Sequence, residues 1–195
     1  MKRAIAVFLA FLLLLSQAAY AFADADTAAE KNSETDTLQL TTRYVDENLY
    51  DGDWYTICNA IWMYIPVEGW TDLPDLAQEA GLLLLYSAED NSKLFTVYEI
   101  DAETVSAWDL NGMEGLAQTM VDGGYEDAEV VNVNNIPAVM YTDINNNALM
   151  LLCSETGGGL LCIGFAPVSS EEYFPEILNM ICSITPIEEQ TEETN

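Results

Sequence analysis

Two stretches in the second half of the chain, 148–153 and 160–166, contain almost no polar side chain. A strand with one face in water alternates apolar and polar residues, whereas a strand covered on both faces loses this alternation. Each stretch has the length of one strand, and Gly157-Gly158 between them suits a turn. The pattern therefore predicts an antiparallel sheet with helices on both sides.

Three further pairs of short apolar or β-branched runs are separated by turn residues. They are 54–58 with 61–65, 82–87 with 94–100, and 129–133 with 136–142. Asn59, the polar run 89–92 and the Asn134-Asn135 pair lie between them, and asparagine tolerates the positive φ of a tight hairpin. Pro137 has no N–H, so we expect its strand at an edge or its nitrogen pointing outward.

Three segments have helical spacing of apolar residues. The predicted helices run from Leu73 to Ala80, from Asn111 to Gly123 and from about Phe174 to Ile181. Asp72 is the expected cap of the first helix and Gly81 its stop. Asn111 is the expected cap of the second, with Glu114 in the reciprocal position of a capping box.

The third helix is expected to bury one face and then to lead into a closing strand. Its apolar face consists of Phe174, Ile177, Leu178 and Ile181. Ser169 and Glu172 offer a capping box, but Pro175 would then lie inside the helix, which is costly. The helix is therefore expected to start near Phe174, and residues 183–185 are expected to form the closing strand.

The chain begins with the layout of a secretory signal peptide. Lys2 and Arg3 precede an apolar run over 4–15, and two small-x-small cleavage sites end at Ala21 and Ala23. The run is shorter than the about 20 residues that a spanning helix needs. We therefore expect a secreted protein that acts outside the cytoplasm, with no membrane span after cleavage. The expected segments are a signal peptide over 1–23, a flexible lead-in over 24–47, one domain over 48–186 and an acidic tail over 187–195.

The charge of the chain excludes several classes of partner. It has 33 acidic and five basic residues, a net charge of −28. Loss of the signal peptide leaves Lys31, Arg43 and Lys93 as the basic residues and makes the net charge about −30. Such a surface repels phosphate backbones and anionic lipid but attracts basic partners, so we expect no nucleic-acid partner. Repulsion among the carboxylates also predicts stability that increases with salt and as the pH falls from 7 towards about 5.

Several kinds of active site are excluded by composition. The sequence has no histidine, which removes Ser-His-Asp and Cys-His activation of a nucleophile and most zinc and copper sites. Three basic residues are too few to stabilise the transition state of phosphoryl transfer. We therefore predict no catalytic residue, no cofactor and no metal site, and a protein that is not an enzyme.

All four cysteines, Cys58, Cys153, Cys162 and Cys182, follow the predicted cleavage site. An even number in an exported chain permits disulfides, with three possible pairings. If 157–158 is a two-residue turn, Cys153 and Cys162 lie directly opposite each other on neighbouring strands, close enough for a bridge. Each cysteine also lies in an apolar run, where buried thiols are common, so both alternatives stay open.

Two acidic features suggest alternative chemistries. Residues 143–147, Asp-Ile-Asn-Asn-Asn, have the first, third and fifth oxygen ligands of a calcium loop. Ala148 replaces the glycine of its sixth position and Ser154 the glutamate of its twelfth, so a hairpin turn is favoured. Two carboxylates about 5–10 Å apart in a cleft would serve glycan hydrolysis. With 33 acidic residues, however, the sequence singles out no pair.

The four tryptophans are the remaining candidates for a binding surface. Trp54, Trp62, Trp70 and Trp108 lie in or beside apolar or strand-like stretches. Packing in the core is the default role of tryptophan in such a context. Exposure of Trp54 together with Tyr50 near an acidic loop would instead indicate a binding surface.

The order of elements resembles that of the PsbP-like superfamily. The similarity covers about 50–186 and rests on an early strand ending in 66–70 (Pro-Val-Glu-Gly-Trp), a short helix, hairpins, a middle helix and a terminal helix running into 181–184 (Ile-Cys-Ser-Ile). The family commonly has Pro-x-Gly-Trp or Pro-x-x-Trp at the first motif, and this chain has one residue more. The resemblance implies a three-layer α/β/α sandwich around a mostly antiparallel sheet. Members include extrinsic photosystem II subunits, a Ran-binding nuclear import factor and small exported bacterial proteins, and they mostly act as non-catalytic partners or assembly factors.

The sequence thus predicts an exported, non-catalytic binding or assembly module that recognises a protein or small ligand through a sheet face or a loop surface. The alternatives are a carboxylate-dependent glycan hydrolase and a calcium-responsive extracellular module. A cleft with two carboxylates would favour the hydrolase, and an exposed aromatic patch would favour the binding module. A melting temperature raised by calcium but not by magnesium would favour the third.

Overall fold

The structure is a computed structural model that describes residues 37–145, 147–154 and 158–187. The predicted signal peptide, the lead-in before residue 37 and the tail from residue 188 lie outside these ranges. The strands are β1 (Leu38–Leu40), β2 (Gly52–Ile57), β3 (Ile61–Pro66), β4 (Trp70–Asp72), β5 (Leu84–Ala88), β6 (Leu94–Ile100), β7 (Glu129–Val133), β8 (Ile136–Thr142), β9 (Leu149–Ser154), β10 (Leu160–Ala166) and β11 (Thr185–Pro186). The helices are α1 (Pro74–Ala80), α2 (Ala102–Ala107), α3 (Gly112–Asp122) and α4 (Tyr173–Ser183). Among the described helices, none is long and apolar enough to cross a membrane.

The described strands form two sheets. The larger has the order β1-β7-β8-β9-β10-β6-β5-β4, and the smaller has the order β11-β3-β2. Every neighbouring pair is antiparallel except β1 and β7. The four predicted hairpins form as β2–β3, β5–β6, β7–β8 and β9–β10. The expectation of an α+β fold with a mostly antiparallel sheet is therefore confirmed.

Strand β10 is buried on both of its faces. Leu161, Ile163 and Phe165 belong to one core cluster, whereas Leu160 and Cys162 belong to another. Because alternate side chains of a strand point to opposite faces, the larger sheet has a separate core on each side. Burial of each large side chain contributes about 1.5–3 kcal/mol. These two cores explain why residues 160–166 are apolar throughout, because both faces of the strand are covered.

The first core joins the larger sheet to helix α4 and to the β2–β3 hairpin. Tyr173 and Ile177 of α4 are fully buried in it. Tyr173 Oη donates to the carbonyl oxygen of Leu94 on β6 at 2.9 Å. Lys93 Nζ forms an ion pair with Glu176 Oε1 at 2.6 Å. Helix α4 is therefore held against β6 by packing and by two polar contacts.

The second core lies under helix α3. Leu116, Ala117 and Met120 have the predicted helical spacing and are buried together against the sheet residues Val139 and Leu152. Helix α3 thus covers the face of the sheet opposite the first core. Residues at positions i, i+1 and i+4 of a helix share a stripe, which is why this spacing predicted the buried side.

The β7–β8 turn also connects the larger sheet to the end of α4. Asn134 and Asn135 have φ values of 47° and 69°, the left-handed conformation expected of asparagine in a tight hairpin. Asn134 Nδ2 donates to the carbonyl oxygens of Cys182 and Ile184 at 2.8 and 2.6 Å. The side chain of Asn134 therefore satisfies carbonyl groups that the end of a helix leaves without an intrahelical partner.

The folded domain begins earlier than predicted. Strand β1 pairs in parallel with β7, and Leu40 is buried in the first core. Residues 42–44 form a 3-10 turn, and Asp46 donates its backbone N–H to Asn179 Oδ1 on α4 at 2.6 Å. Residues 38–46 therefore belong to the folded domain, which corrects both its expected start at residue 48 and the flexible lead-in predicted up to residue 47.

The helix caps differ from the predicted ones. Asp72 ends strand β4, and α1 starts at Pro74, a residue suited to the first turn because its missing N–H needs no partner there. Asn111 precedes α3 but makes no capping hydrogen bond through its side chain. Helix α2 has no counterpart among the predicted helices. Asp101 caps it, and its Oδ1 accepts the N–H of Thr104 at 2.8 Å.

Helix α4 starts within one residue of its predicted position. Ser170, rather than Ser169, lies at its N-terminus and accepts the N–H of Tyr173 through Oγ at 3.2 Å. Phe174 was expected on the buried face but is 39 % exposed, and Tyr173 is the residue that is buried. The closing strand β11 pairs with β3 and begins at Thr185, two residues later than predicted.

Strand β8 lies inside the larger sheet, between β7 and β9, so the first of the two alternatives for Pro137, an edge strand, is wrong. Pro137 is the second residue of β8, and pairing with β9 begins only at Ala138. The proline therefore precedes the part of the strand that pairs on both sides. This position is where a residue without an N–H disturbs an interior strand least.

Cysteines 153 and 162 are offset by one residue from the predicted pairing. Cys153 lies opposite Leu161, and Cys162 lies opposite Leu152. The one-residue shift places Cys153 in the first core and Cys162 in the second, on opposite faces of the sheet. Both are thiols, as is Cys182. Of the two alternatives that the sequence left open, these three cysteines are therefore buried thiols and not disulfides.

Candidate functional site

One face of the β2–β3 hairpin contributes to the first core, and the other presents two exposed tryptophans. In its register Trp54 pairs with Tyr64, and Thr56 pairs with Trp62. These four residues share the outer side of the hairpin, because side chains alternate along a strand. We call Trp54, Thr56, Trp62 and Tyr64 the aromatic face. On the other side of the hairpin, Ile57, Ile61, Met63 and Ile65 are buried, whereas Asp53 and Tyr55 of β2 are exposed.

Both tryptophans of the aromatic face are exposed to solvent. Trp54 is 37 % exposed and Trp62 is 42 % exposed. In this register they are diagonal neighbours, a separation within reach of two aromatic side chains. The prediction that all four tryptophans pack in the core is wrong for these two, whereas Trp70 and Trp108 pack against the first and second cores. Tyr50 is half-buried, so the condition set for a binding surface is met by Trp54 alone.

Tyr64 is the buried member of the aromatic face, and its ring packs against two other aromatic rings. Its ring centroid lies 5.6 Å from that of Trp54 and 5.4 Å from that of Tyr50, on which it stacks. Its Oη accepts the backbone N–H of Gly52 at 3.1 Å. A Cβ on residue 52 would lie only 2.8 Å from Tyr64 Cζ and from the carbonyl oxygen of Ile65. Glycine is therefore needed at this position because the ring approaches the backbone so closely.

The backbone and the second tyrosine fix this arrangement. Tyr64 donates its backbone N–H to Ser183 Oγ at the end of α4, at 2.9 Å. Tyr50 Oη donates to the carbonyl oxygen of Tyr64 at 3.3 Å. Burial raises the pKa of Tyr50 well above its ordinary value of 10, with smaller contributions from Tyr64 and Glu176. Tyr50 therefore stays a neutral hydrogen-bond donor over the physiological pH range.

Carboxylates lie around the aromatic face. Glu47 Oε1 accepts the indole N–H of Trp54 at 3.3 Å, and Asp53 Oδ1 accepts its backbone N–H at 2.8 Å. At the open end of the hairpin, a hydrogen bond from Glu68 to Asp51 raises the pKa of Glu68 above its ordinary value of 4.5. The surface therefore combines exposed indole rings with negative charge.

A groove of about 860 Å³ lies beside helices α2 and α3, away from the aromatic face. Its lining is mostly apolar and includes Val105, Leu110, Met113 and Leu116. The charged residues among its lining are Asp109 and Glu114. Gly158 and Gly159, at the start of β10, complete one wall. The groove could hold an apolar ligand, and two carboxylates are available at its surface.

The predicted calcium loop forms the connection between β8 and β9. Asp143 is buried, and its Oδ1 accepts the N–H groups of Asn147 and Ala148, the latter at 2.8 Å. Asp143 also donates its backbone N–H to the carbonyl oxygen of Ala148 at 2.8 Å. These contacts are those of a hairpin turn, which agrees with the favoured interpretation of the sequence. Asn146 lies outside the described residues.

Neither buried cysteine of the larger sheet has the environment of a nucleophile. Burial raises the pKa of Cys153 to about 12 and also raises the pKa of Cys162 above its ordinary value of 9. A thiolate would lack solvation in either core, so both groups stay protonated. In the part of the chain that the structure describes, no group of three or more cysteine or acidic side chains is arranged to hold a metal ion.

Comparison with known proteins adds little to this geometry. No model of a protein family matches the chain, and no curated protein matches it. Among solved structures, a protein of Bacteroides thetaiotaomicron VPI-5482 is similar with 14 % sequence identity and a TM-score of 0.44. The match covers 71 % of this chain and 49 % of the other protein, so the chain spans about half the length of that structure.

Proposed function

We propose that the chain is an exported, non-catalytic binding or assembly module whose aromatic face contacts a partner outside the cytoplasm. The observation that carries this proposal is the exposure of Trp54 and Trp62 on one side of a single hairpin. Tryptophan is enriched among the residues that dominate binding energy at protein interfaces. The signal-peptide layout of residues 1–23 supports action outside the cytoplasm.

The rigidity of the aromatic face supports the same role. Tyr64 is held by Gly52 and Ser183 and is stacked on Tyr50. A surface that is already ordered loses little conformational entropy when a partner binds, so more of the contact energy appears as affinity. Trp54 is itself oriented by Glu47. The hairpin therefore holds the indole ring of Trp54 in a defined geometry before any partner arrives.

We also propose that the domain is a three-layer α/β/α sandwich of the PsbP-like type. The separate cores on the two sides of the larger sheet, one with α3 and the other with α4, support this layering. The first resembling motif, 66–70, connects β3 to β4, and the second, 181–184, connects the end of α4 to β11. Strands β3 and β11 pair with each other. The non-catalytic partner and assembly roles of that superfamily are consistent with a module that acts through a sheet face.

A glycan hydrolase remains the second candidate because Asp109 and Glu114 line the same groove. Hydrolysis needs two carboxyl groups, one as acid and one as base or nucleophile. If the groove is an active site, the purified protein will release reducing sugar from a glycan of the cell envelope, and Asp109→Asn and Glu114→Gln will each abolish release. The proposed binding role predicts no release by the wild-type protein.

The proposed function is tested by capture from culture supernatant and envelope fractions. Immobilised wild-type protein is compared with the Trp54→Ala/Trp62→Ala double variant and with Ile144→Ala, which removes a side chain that is 58 % exposed elsewhere on the surface. We expect one protein or ligand to be retained by the wild type and by Ile144→Ala but not by the double variant. Retention by all three proteins would contradict a role for the aromatic face.

A further inference from the structure

We infer that the occupant of the aromatic face is an extended protein segment bearing arginine or lysine, an inference that rests on the proposed function. Exposed indole rings attract cations through their negatively polarised faces, and arginine stacks on them more often than lysine. Trp54 and Trp62 provide two such rings on one surface. The aromatic face therefore has the chemistry to recognise a guanidinium or ammonium group.

Charge on the surrounding surface favours the same occupant. Glu47 lies against the indole of Trp54, and Asp53 is bonded to the backbone of the same residue. A carboxylate beside an indole ring accepts hydrogen bonds from a guanidinium group that stacks on the ring. The net charge of −28 draws basic segments towards the protein from a distance and raises their rate of encounter.

The basic side chains among the described residues already interact with other groups of the protein. Lys93 Nζ is paired with Glu176 at 2.6 Å. Arg43 lies over the ring of Tyr44, with its Cζ atom 4.6 Å from the ring centroid. An anionic partner would therefore meet carboxylates at the aromatic face and gain no compensating ion pair from these two residues. A second copy of the chain, with the same large negative charge, is disfavoured for the same reason.

The segment is expected to lie across the face and not to add as a further strand at the edge. Strand β2 has β3 as its neighbour in the smaller sheet, so its other edge faces outward. Along that strand, Gly52 donates its N–H to Tyr64 Oη, and Trp54 donates its N–H to Asp53 Oδ1. An added strand needs backbone donors at alternate residues, and these two are already satisfied by side chains.

The inference is tested by isothermal titration calorimetry, in which the full chain is titrated with a short peptide of alternating arginine and serine. Matched peptides carry lysine, citrulline or glutamate in place of arginine. We expect binding of the arginine peptide, weaker binding of the lysine peptide, and none of the citrulline or glutamate peptides. Trp54→Ala and Trp62→Ala should each weaken binding at least about tenfold. Glu47→Gln should weaken it by less, and added salt should weaken it in the wild type.

Glu103→Gln is the matched control for charge, because it removes an exposed carboxylate on helix α2, outside the aromatic face. Equal weakening by Glu103→Gln and Glu47→Gln, with no effect of the tryptophan variants, would show diffuse charge attraction and overturn the inference. Failure of the arginine peptide to bind would also overturn it. Tryptophan-dependent binding of an uncharged peptide or a neutral oligosaccharide would overturn the cationic partner but leave the proposed function standing. Retention of the captured partner by the double tryptophan variant would instead overturn the proposed function itself.

Discussion

The aromatic face and the groove beside α3 both open to solvent, but their apolar residues have different relations to the core. Leu116 and Met113 of the groove belong to the second core or pack against it, so folding alone accounts for them. Trp54 and Trp62 are exposed although the opposite side of their hairpin already fills the first core. Two large rings beyond what the core uses indicate a binding role more strongly than a concavity lined by the margin of a core.

The two regions also differ in how firmly they are held. The aromatic face stands on a six-residue hairpin strand with Tyr64 fixed by hydrogen bonds and stacking. One wall of the groove is α2, a helix of only six residues, and another is the start of α3, where Asn111 makes no side-chain cap. A helix as short as α2 is marginal on its own even with its Asp101 cap, and α3 lacks the stabilisation that a side-chain cap would add. The comparison therefore favours the aromatic face as the preorganised site.

Replacement of Tyr64 by alanine is expected to have the largest effect. Tyr64 is only 6 % exposed, and its loss removes a buried ring together with its hydrogen bonds. By analogy with other buried aromatic residues, Tyr64→Ala should lower the free energy of unfolding by about 3–5 kcal/mol. Trp62→Ala, which changes an exposed ring, should lower it by less than about 1 kcal/mol. Urea denaturation of both variants checks the difference, and similar losses would mean that Trp62 also supports the fold.

Replacement of Gly52 by alanine, which adds a methyl group against the ring of Tyr64, should have the next largest effect. In Gly52→Ala the new Cβ would lie 2.8 Å from Tyr64 Cζ and from the carbonyl oxygen of Ile65. Overpacking of this kind costs about 1–3 kcal/mol. We expect a lower melting temperature and, because the ring must move, weaker binding at the aromatic face. Unchanged stability and unchanged binding would show that Tyr64 can move without cost.

Gly115→Ala is the matched control in the second region. Gly115 lies inside α3, and a Cβ there would meet its nearest neighbours at 3.6 Å, an ordinary contact distance. Alanine is favoured over glycine in a helix by about 1 kcal/mol. Gly115→Ala, next to the groove, should therefore raise the melting temperature of the protein, whereas Gly52→Ala should lower it. A fall at both positions would contradict the contrast between the two regions.

Much of the fold was predictable because its determinants are local. Asn134-Asn135 specifies a turn through the backbone conformation that asparagine tolerates, and Gly81 ends α1 with a φ of 70°. The apolar run over 160–166 indicated burial on both faces because no polar alternation interrupts it. The missed elements depend on distant partners. Strand β1 has only three residues and exists through its pairing with β7.

The site was harder to predict than the fold. The run 61–65 is apolar throughout, so it gives no sign that Trp62 is exposed, and core packing was the default expectation for this residue. The opposing strand contained the missing information, because Trp62 pairs with Thr56, a polar residue, and Met63 pairs with Tyr55. Which side of the hairpin is buried depends on where α4 packs, and no local pattern specifies that contact. The roles of Tyr64 and Gly52 depend on a contact between neighbouring strands, in which the ring of Tyr64 leaves no room for a Cβ on residue 52, and the sequence alone does not specify it.

The smallest predicted effect concerns the pH dependence of stability at the open end of the hairpin. The hydrogen bond to Asp51 raises the pKa of Glu68 in the folded state above its ordinary value of 4.5. The folded state therefore binds more protons than the unfolded state in the interval above pH 4.5, and stability decreases as the pH rises through it. Glu68→Gln should raise the melting temperature slightly at pH 7 and reduce the gain seen on acidification towards pH 4.5.

Two other carboxyl groups have the opposite effect on how stability depends on pH. Hydrogen bonds from Ser92 and Thr104 lower the pKa values of Asp90 and Asp101 below their ordinary value of 3.8. Their contributions are present above pH 3.8 and are lost as the pH falls through their lowered values. Melting curves between pH 7 and pH 3 should therefore show stability rising first and falling later. A variant Glu68→Gln with the same pH profile as the wild type would contradict the assignment to Glu68.

Hydroxyl-radical footprinting with mass spectrometry tests the central claim most directly, because tryptophan and methionine are both oxidised readily and one experiment thus reports on both regions. The protein is oxidised alone and in complex with its captured partner, and the modification of each residue is quantified. We expect protection of Trp54 and Trp62 in the complex and no change at Met113. Protection of Met113 with unchanged oxidation of both tryptophans would contradict it.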